Sequence, residues 1–97
     1  MFLTSCEEAE VARVVVAEQE SGRDDQFRLY LDLTLENPAD TPAYFVIALV
    51  DVYHDGKSIA YDEQAFGDLF PGEQKTERLI FPSVTQQDDL EFDVEIT

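Results

Sequence analysis

The sequence predicts an all-β fold: an antiparallel sandwich of about six or seven short strands. Three observations lead there. Residues 27–35 alternate between Phe27, Leu29, Leu31, Leu33 and Leu35 on one side and polar or aromatic residues on the other, the period-2 signature of a strand with one buried face. Residues 44–57, YFVIALVDVYHDGK, form a long apolar run that ends in an Asp-Gly turn. Turn signals punctuate the rest of the chain, and no segment carries a sustained helical period.

Taken in order, residues 7–20 mix helix formers (EEAEVARVV) with the β-branched run Val14, Val15, Val16, whose stiff side chains fit a pleated sheet better than a helix. The first strand is therefore placed at residues 11–18, followed by a polar turn, SGRDDQ, at 21–26. The alternating strand comes next. Residues 37–42, NPADTP, stop it, because two prolines lack amide donors and restrict the residues before them. After the central hairpin, Phe70-Pro71-Gly72-Glu73 is a type II turn, with Pro presetting φ and Gly accepting a positive φ. Residues 73–81 and 90–97 are the remaining strands, joined by a loop at 82–89.

The chain has 97 residues, enough for one domain: an arm at residues 1–8 and a sandwich from 9 to 97. Acidic residues number 22 against six Lys and Arg, a formal charge of -16. The acids are dispersed, as on a solvated surface, where a disordered tail would concentrate them. Such self-repulsion becomes tolerable when concentrated salt shortens the Debye length to about 3 Å, so the composition reads as halophilic. Without a basic patch to neutralise phosphates, nucleic acid is not an expected partner. Weak Ca2+ binding at Asp24-Asp25 or Asp88-Asp89 is the competing reading of the acids.

Cys6 is the single cysteine, which excludes an intramolecular disulfide. Leu3-Thr4-Ser5-Cys6 resembles the lipobox preceding the lipid-modified cysteine of a lipoprotein. Met1 and Phe2 do not supply the basic and apolar regions of a signal peptide, so an incidental thiol on an arm stands beside lipidation at Cys6. Any association with a membrane would run through that lipid.

A two-residue turn at Asp55-Gly56 places Val52 opposite Ile59 and Val50 opposite Tyr61. One face then carries Tyr44, Val46, Ala48, Val50, Val52, Ile59 and Tyr61, the expected core. The other carries Phe45, Ile47, Leu49 and Tyr53, for which the sequence assigns no cover. These four are the candidate interaction surface, toward a protein partner or a second copy of the chain; a loop or residues 65–66 folding over them is the alternative.

Asn37-Pro38, the strand reaching Val50-Asp51-Val52-Tyr53-His54-Asp55-Gly56-Lys57, and Leu69-Phe70-Pro71-Gly72-Glu73 together resemble the FxLYD domain family. The resemblance spans roughly residues 11–81. Val50 and Val52 stand where the family has Phe and Leu, Tyr53 agrees, and His54 replaces Asp. The resemblance implies an immunoglobulin-like sandwich, frequent in secreted and lipid-anchored proteins of bacteria and archaea and without an established enzymatic activity. Late-embryogenesis-abundant type 2 domains and a bacterial intracellular proteinase inhibitor are similar sandwiches, so fold alone does not choose a function.

Catalysis is not expected. One His and one Cys cannot supply a zinc site, and Cys6 on the arm and His54 at a hairpin tip are poor candidates for a nucleophile with its base. No phosphate-binding glycine loop or EF-hand spacing occurs, and no cofactor is expected. The expected function is thus a non-enzymatic, extracytoplasmic scaffold or interaction module, lipid-anchored at Cys6. The alternative is a cytoplasmic binding or proteinase-inhibitor-like domain using residues 37–42 or 66–71.

Overall fold

A computed structural model describes residues 14–85 and 88–97 of the chain. The expected arm at residues 1–8, with Cys6, lies outside these residues. The described chain forms β1 (Val15–Arg23), β2 (Leu29–Glu36), β3 (Ala43–His54), β4 (Lys57–Leu69), β5 (Gln74–Phe81) and β6 (Leu90–Ile96). They assemble into two antiparallel sheets of order β1-β2-β5 and β4-β3-β6. β1, β2 and β5 take the places of strands A, B and E, and β4, β3 and β6 those of C′, C and F, in an immunoglobulin-like sandwich.

The core lies between the two central strands. Leu29, Leu31, Leu33 and Leu35 of β2 face Val46, Ala48, Val50 and Val52 of β3, and all are buried. Leu79 and Phe81 of β5, Phe66 and Leu69 of β4, and Val84 complete the cluster. Each fully buried leucine contributes roughly 2 to 3 kcal/mol by leaving water.

The first hairpin differs from the sequence expectation. Residues 11–13 of the expected first strand lie outside the described residues; β1 runs on to Arg23, so the 21–26 turn contracts to a loop held by Asp24. One oxygen of the Asp24 carboxylate accepts from the Gln26 and Arg28 amides (2.9 and 2.8 Å), and the other accepts from the Arg28 guanidinium at 2.8 Å. These bonds, the Arg28 amide foremost, hold the Asp24 carboxyl below the usual carboxylate range. Phe27, expected in the core, lies in this loop at φ 62° and is 81% exposed. The alternation continues into the loop residue, but the chain has already turned away from the sheet.

In the second hairpin, Asp55 and Gly56 both adopt positive φ, as a type I′ turn requires. A bulge then intervenes: Tyr53 pairs with Ser58 and Val52 with Ala60, so Ile59 is the extra residue. Tyr61 consequently pairs with Asp51 and falls on the face opposite the core, 52% exposed. Ala60 takes the position opposite Val52 expected for Ile59, and both residues pack against the core. Tyr44 also leaves the core, because irregular pairing between Ala43 and Val46 turns it and Phe45 outward.

Gly72 at φ 80° and the 2.9 Å bond from the Glu73 amide to the Phe70 carbonyl form the expected turn at Pro71-Gly72. Asn37 anchors it. The Gly72 amide donates to the Asn37 carbonyl (2.7 Å), and the Asn37 amide donates to the Glu73 carbonyl (3.1 Å). Its side chain, 1% exposed, donates to the carbonyls of Thr41 (2.8 Å) and Leu69 (2.9 Å) and accepts from the Ala39 amide (3.0 Å). One buried amide thereby ties the β2–β3 loop to the β4–β5 turn.

Candidate functional site: the outer face of the β4-β3-β6 sheet

Each sheet has one face turned away from the core, and the two differ in how they handle charge. On the β1-β2-β5 sheet, Arg78 donates to both oxygens of Asp32 (2.7 and 2.8 Å) and lies 3.8 Å over the Tyr30 ring. The Arg78 bonds lower the Asp32 pKa, and the same pairing raises that of Arg78. Beside them, the hydroxyls of Thr34 and Thr76 meet at 2.7 Å. Glu18, Glu20 and Glu36 share that face, Glu20 directly opposite Asp32, so it holds one neutralised pair among further carboxylates.

The outer face of β4-β3-β6 sets its carboxylates around apolar residues. The register lays Ala65, Ile47 and Thr97 in one row, Glu63, Leu49 and Glu95 in the next, then Tyr61, Asp51 and Asp93, then Ser58, Tyr53 and Glu91. Asp51 and Asp93 stand directly opposite each other, an arrangement that costs stability in an isolated sheet. None of the ion pairs among the described residues involves Asp51, Glu63, Glu91, Asp93 or Glu95. Neutral donors soften the field: Ser58 donates to Asp51 (3.1 Å) and the Tyr61 hydroxyl to Glu63 (2.7 Å). The Glu63 bond, with the charges of Glu63, Asp51 and Glu95, pushes the Tyr61 phenol up to about 12.

Of the candidate surface residues, Ile47 and Leu49 are half-buried neighbours along the middle of this face, and Asp51 separates them from the half-buried Tyr53. Phe45 does not join them. At φ 56° and 83% exposed, it sits in the bulge at the start of β3, its amide donating to Asp68 at 3.1 Å. The member that sequence reasoning missed is Tyr61; the valine-rich strand gives no signal for the bulge at Ile59 that moves it outward. Residues 65–66 do not fold over Ile47, Leu49 and Tyr53, since Ala65 pairs beside Ile47 and Phe66 is buried in the core.

The other candidates are engaged in structure. His54 donates through Nδ1 to the Asp88 carbonyl (3.2 Å), while Nε2 lies 3.6 Å from Asp55. The oxygens of Asp24 are taken by its own loop. Among the described residues, no three His, Cys, Asp or Glu side chains are grouped to hold a metal ion. Of residues 66–71, 66–69 belong to β4 with Phe66 and Leu69 buried, and Phe70 and Pro71 are exposed at the turn that follows. What the outer face offers chemically is a set of apolar residues flanked by unneutralised carboxylates. No protein-family model, curated protein or solved structure matches this chain.

Proposed function

We propose that this chain is a non-enzymatic interaction module whose β4-β3-β6 face receives a basic protein surface, and that lipid on Cys6 holds it outside the cytoplasm of a halophilic cell. The observation that carries the first part is the setting of the apolar residues on this face: Asp51, Glu63, Glu91, Asp93 and Glu95, none in an ion pair among the described residues, surround Ile47, Leu49, Tyr53 and Tyr61. A partner bearing Lys or Arg around an apolar centre would relieve the repulsion and cover the apolar residues, which is how electrostatic complementarity supplies specificity. The lipobox-like segment and the resemblance to FxLYD domains support the location.

Both parts are testable in the source cell. A tagged chain, crosslinked in place at native salt, should retain its partner when Asp32→Asn alters the opposite sheet's outer face and lose it with Leu49→Ser; retention by Leu49→Ser would refute the face. Cys6→Ser should release the chain from the membrane fraction. Equal release of both forms would favour the cytoplasmic binding reading.

A further inference from the structure

The β6 edge of the sandwich is open in two respects. β6 ends its sheet, so one side of its backbone has no strand beside it among the described residues. The ladder defines which groups face that side. Ile47 and Thr97 exchange both N–H···O bonds (3.2 and 3.0 Å), and in an antiparallel pair bonded and non-bonded positions alternate. Glu95, Asp93 and Glu91 therefore bond to β3, whereas the amides and carbonyls of Ile96, Val94 and Phe92 point away from the sheet. These same residues pack their side chains against the core, yet each stays half-buried.

Their exposure follows from what lies across the sandwich. The core-ward positions of β1, paired with Leu35, Leu33, Leu31 and Leu29, are Val16, Gln19, Ser21 and Arg23. Polar side chains cannot close an apolar seam, and clefts run along it. One of about 470 Å3 is lined by Val14, Tyr44, Val46 and Ile96 at one end. Another of about 360 Å3 lies between Ser21, Arg23, Leu90 and Phe92 at the other. In immunoglobulin-like order, the position beside strand F belongs to strand G, and no described strand of this chain takes it.

We propose that the β6 edge accepts an extended strand from another protein, one that alternates apolar residues with Lys or Arg. An added strand would have its free backbone groups satisfied by Phe92, Val94 and Ile96, as in other cases of strand addition to a sheet edge. Its period of two sends alternate residues to opposite faces. The core-ward set fills the clefts over Phe92, Val94 and Ile96. The outward set comes to rest beside Glu91, Asp93 and Glu95, at the roughly 5 Å spacing where opposite charges attract and like charges repel. The charge pattern thus selects a basic strand and rejects an acidic one. In molar salt only such direct neighbours still interact, and burial of the apolar set carries the affinity. The proposal shares the premise of a binding module but uses the edge and seam rather than the outer face.

The test titrates the full chain, in about 1 M KCl, with a capped peptide of alternating Val and Lys, against a control in which Glu replaces Lys. Hydrogen exchange at the amides of Phe92, Val94 and Ile96 should slow by about tenfold or more with the Lys peptide, while those of Asp93 and Glu95 stay as they are. The Glu peptide should leave all of them unchanged. Val94→Thr, which keeps the shape and removes the apolar contact, should weaken binding by about tenfold; Leu49→Ser should not. Equal binding of both peptides overturns the proposal. So does slow exchange at these amides in the free chain that removal of residues 1–13 or dilution makes fast, because the edge is then covered by the chain's own N-terminal segment or by a second copy. Loss of peptide binding with Leu49→Ser but not Val94→Thr transfers the binding to the outer face and leaves that reading standing.

Discussion

Asn37 shows how much can rest on one buried amide. Its side chain satisfies the carbonyls of Thr41 and Leu69 and the amide of Ala39 inside the fold. Asn37→Ala should cost about 2 to 4 kcal/mol, since it removes the bonds and strands their buried partners. For a domain of this size, thermal denaturation should fall by on the order of 10 to 25 °C; a loss under a few degrees would mean that water replaces the amide. Tyr61 offers a titration. Its pKa is raised, so the bond to Glu63 is fully formed below the ordinary phenol value near 10 and is lost as pH rises through about 12. Absorbance titration should show a late phenolate phase that Tyr61→Phe abolishes. A titration in which all phases finish near the ordinary value would contradict the bond. The sequence announces neither residue: Asn37-Pro38 marks a turn, but its partners come from Leu69 and Glu73, far along the chain.

At the scale of elements, irregularities in the ladders decide what the surface displays. The bulge at Ile59 sends Tyr61 outward, and the irregular start of β3 exposes Phe45 with a left-handed backbone. An L-residue in that region costs about 1 to 2 kcal/mol, and the exposed ring recovers little of it. Phe45→Gly should therefore leave the melting temperature unchanged or raise it by a few degrees, whereas Phe45→Val should lower stability by about 1 kcal/mol because branching at Cβ worsens the clash. Equal losses in both variants would show that the ring itself packs. Alternation along β2 and the Asp-Gly turn were legible from sequence because both are local. Bulges were not, since an extra residue depends on which partner strand is satisfied at that point.

For the whole molecule, the controlling quantity is the charge of -16 spread over a slab 48 × 26 × 17 Å. Across the 17 Å thickness, charges lie within two Debye lengths of one another in dilute buffer, where that length is about 10 Å at 0.1 M. Melting temperature should climb by on the order of 10 °C or more between about 0.1 and 3 M KCl. A flat profile would remove the halophilic reading, and millimolar Ca2+ acting where K+ does not would point to a specific cation site instead.

Chain-local physics determined the all-β class, the type I′ and Pro-Gly turns, and the buried faces of β2 and β3, because period-2 alternation and turn chemistry are written in consecutive residues. Tertiary structure alone decided the separation of Phe45 from Ile47, Leu49 and Tyr53, the recruitment of Tyr61, and the gathering of carboxylates from three strands onto one face. It alone shows that no strand among the described residues pairs with the outer edge of β6. Register between distant strands, and which strand ends each sheet, depend on long-range packing that no window of sequence contains.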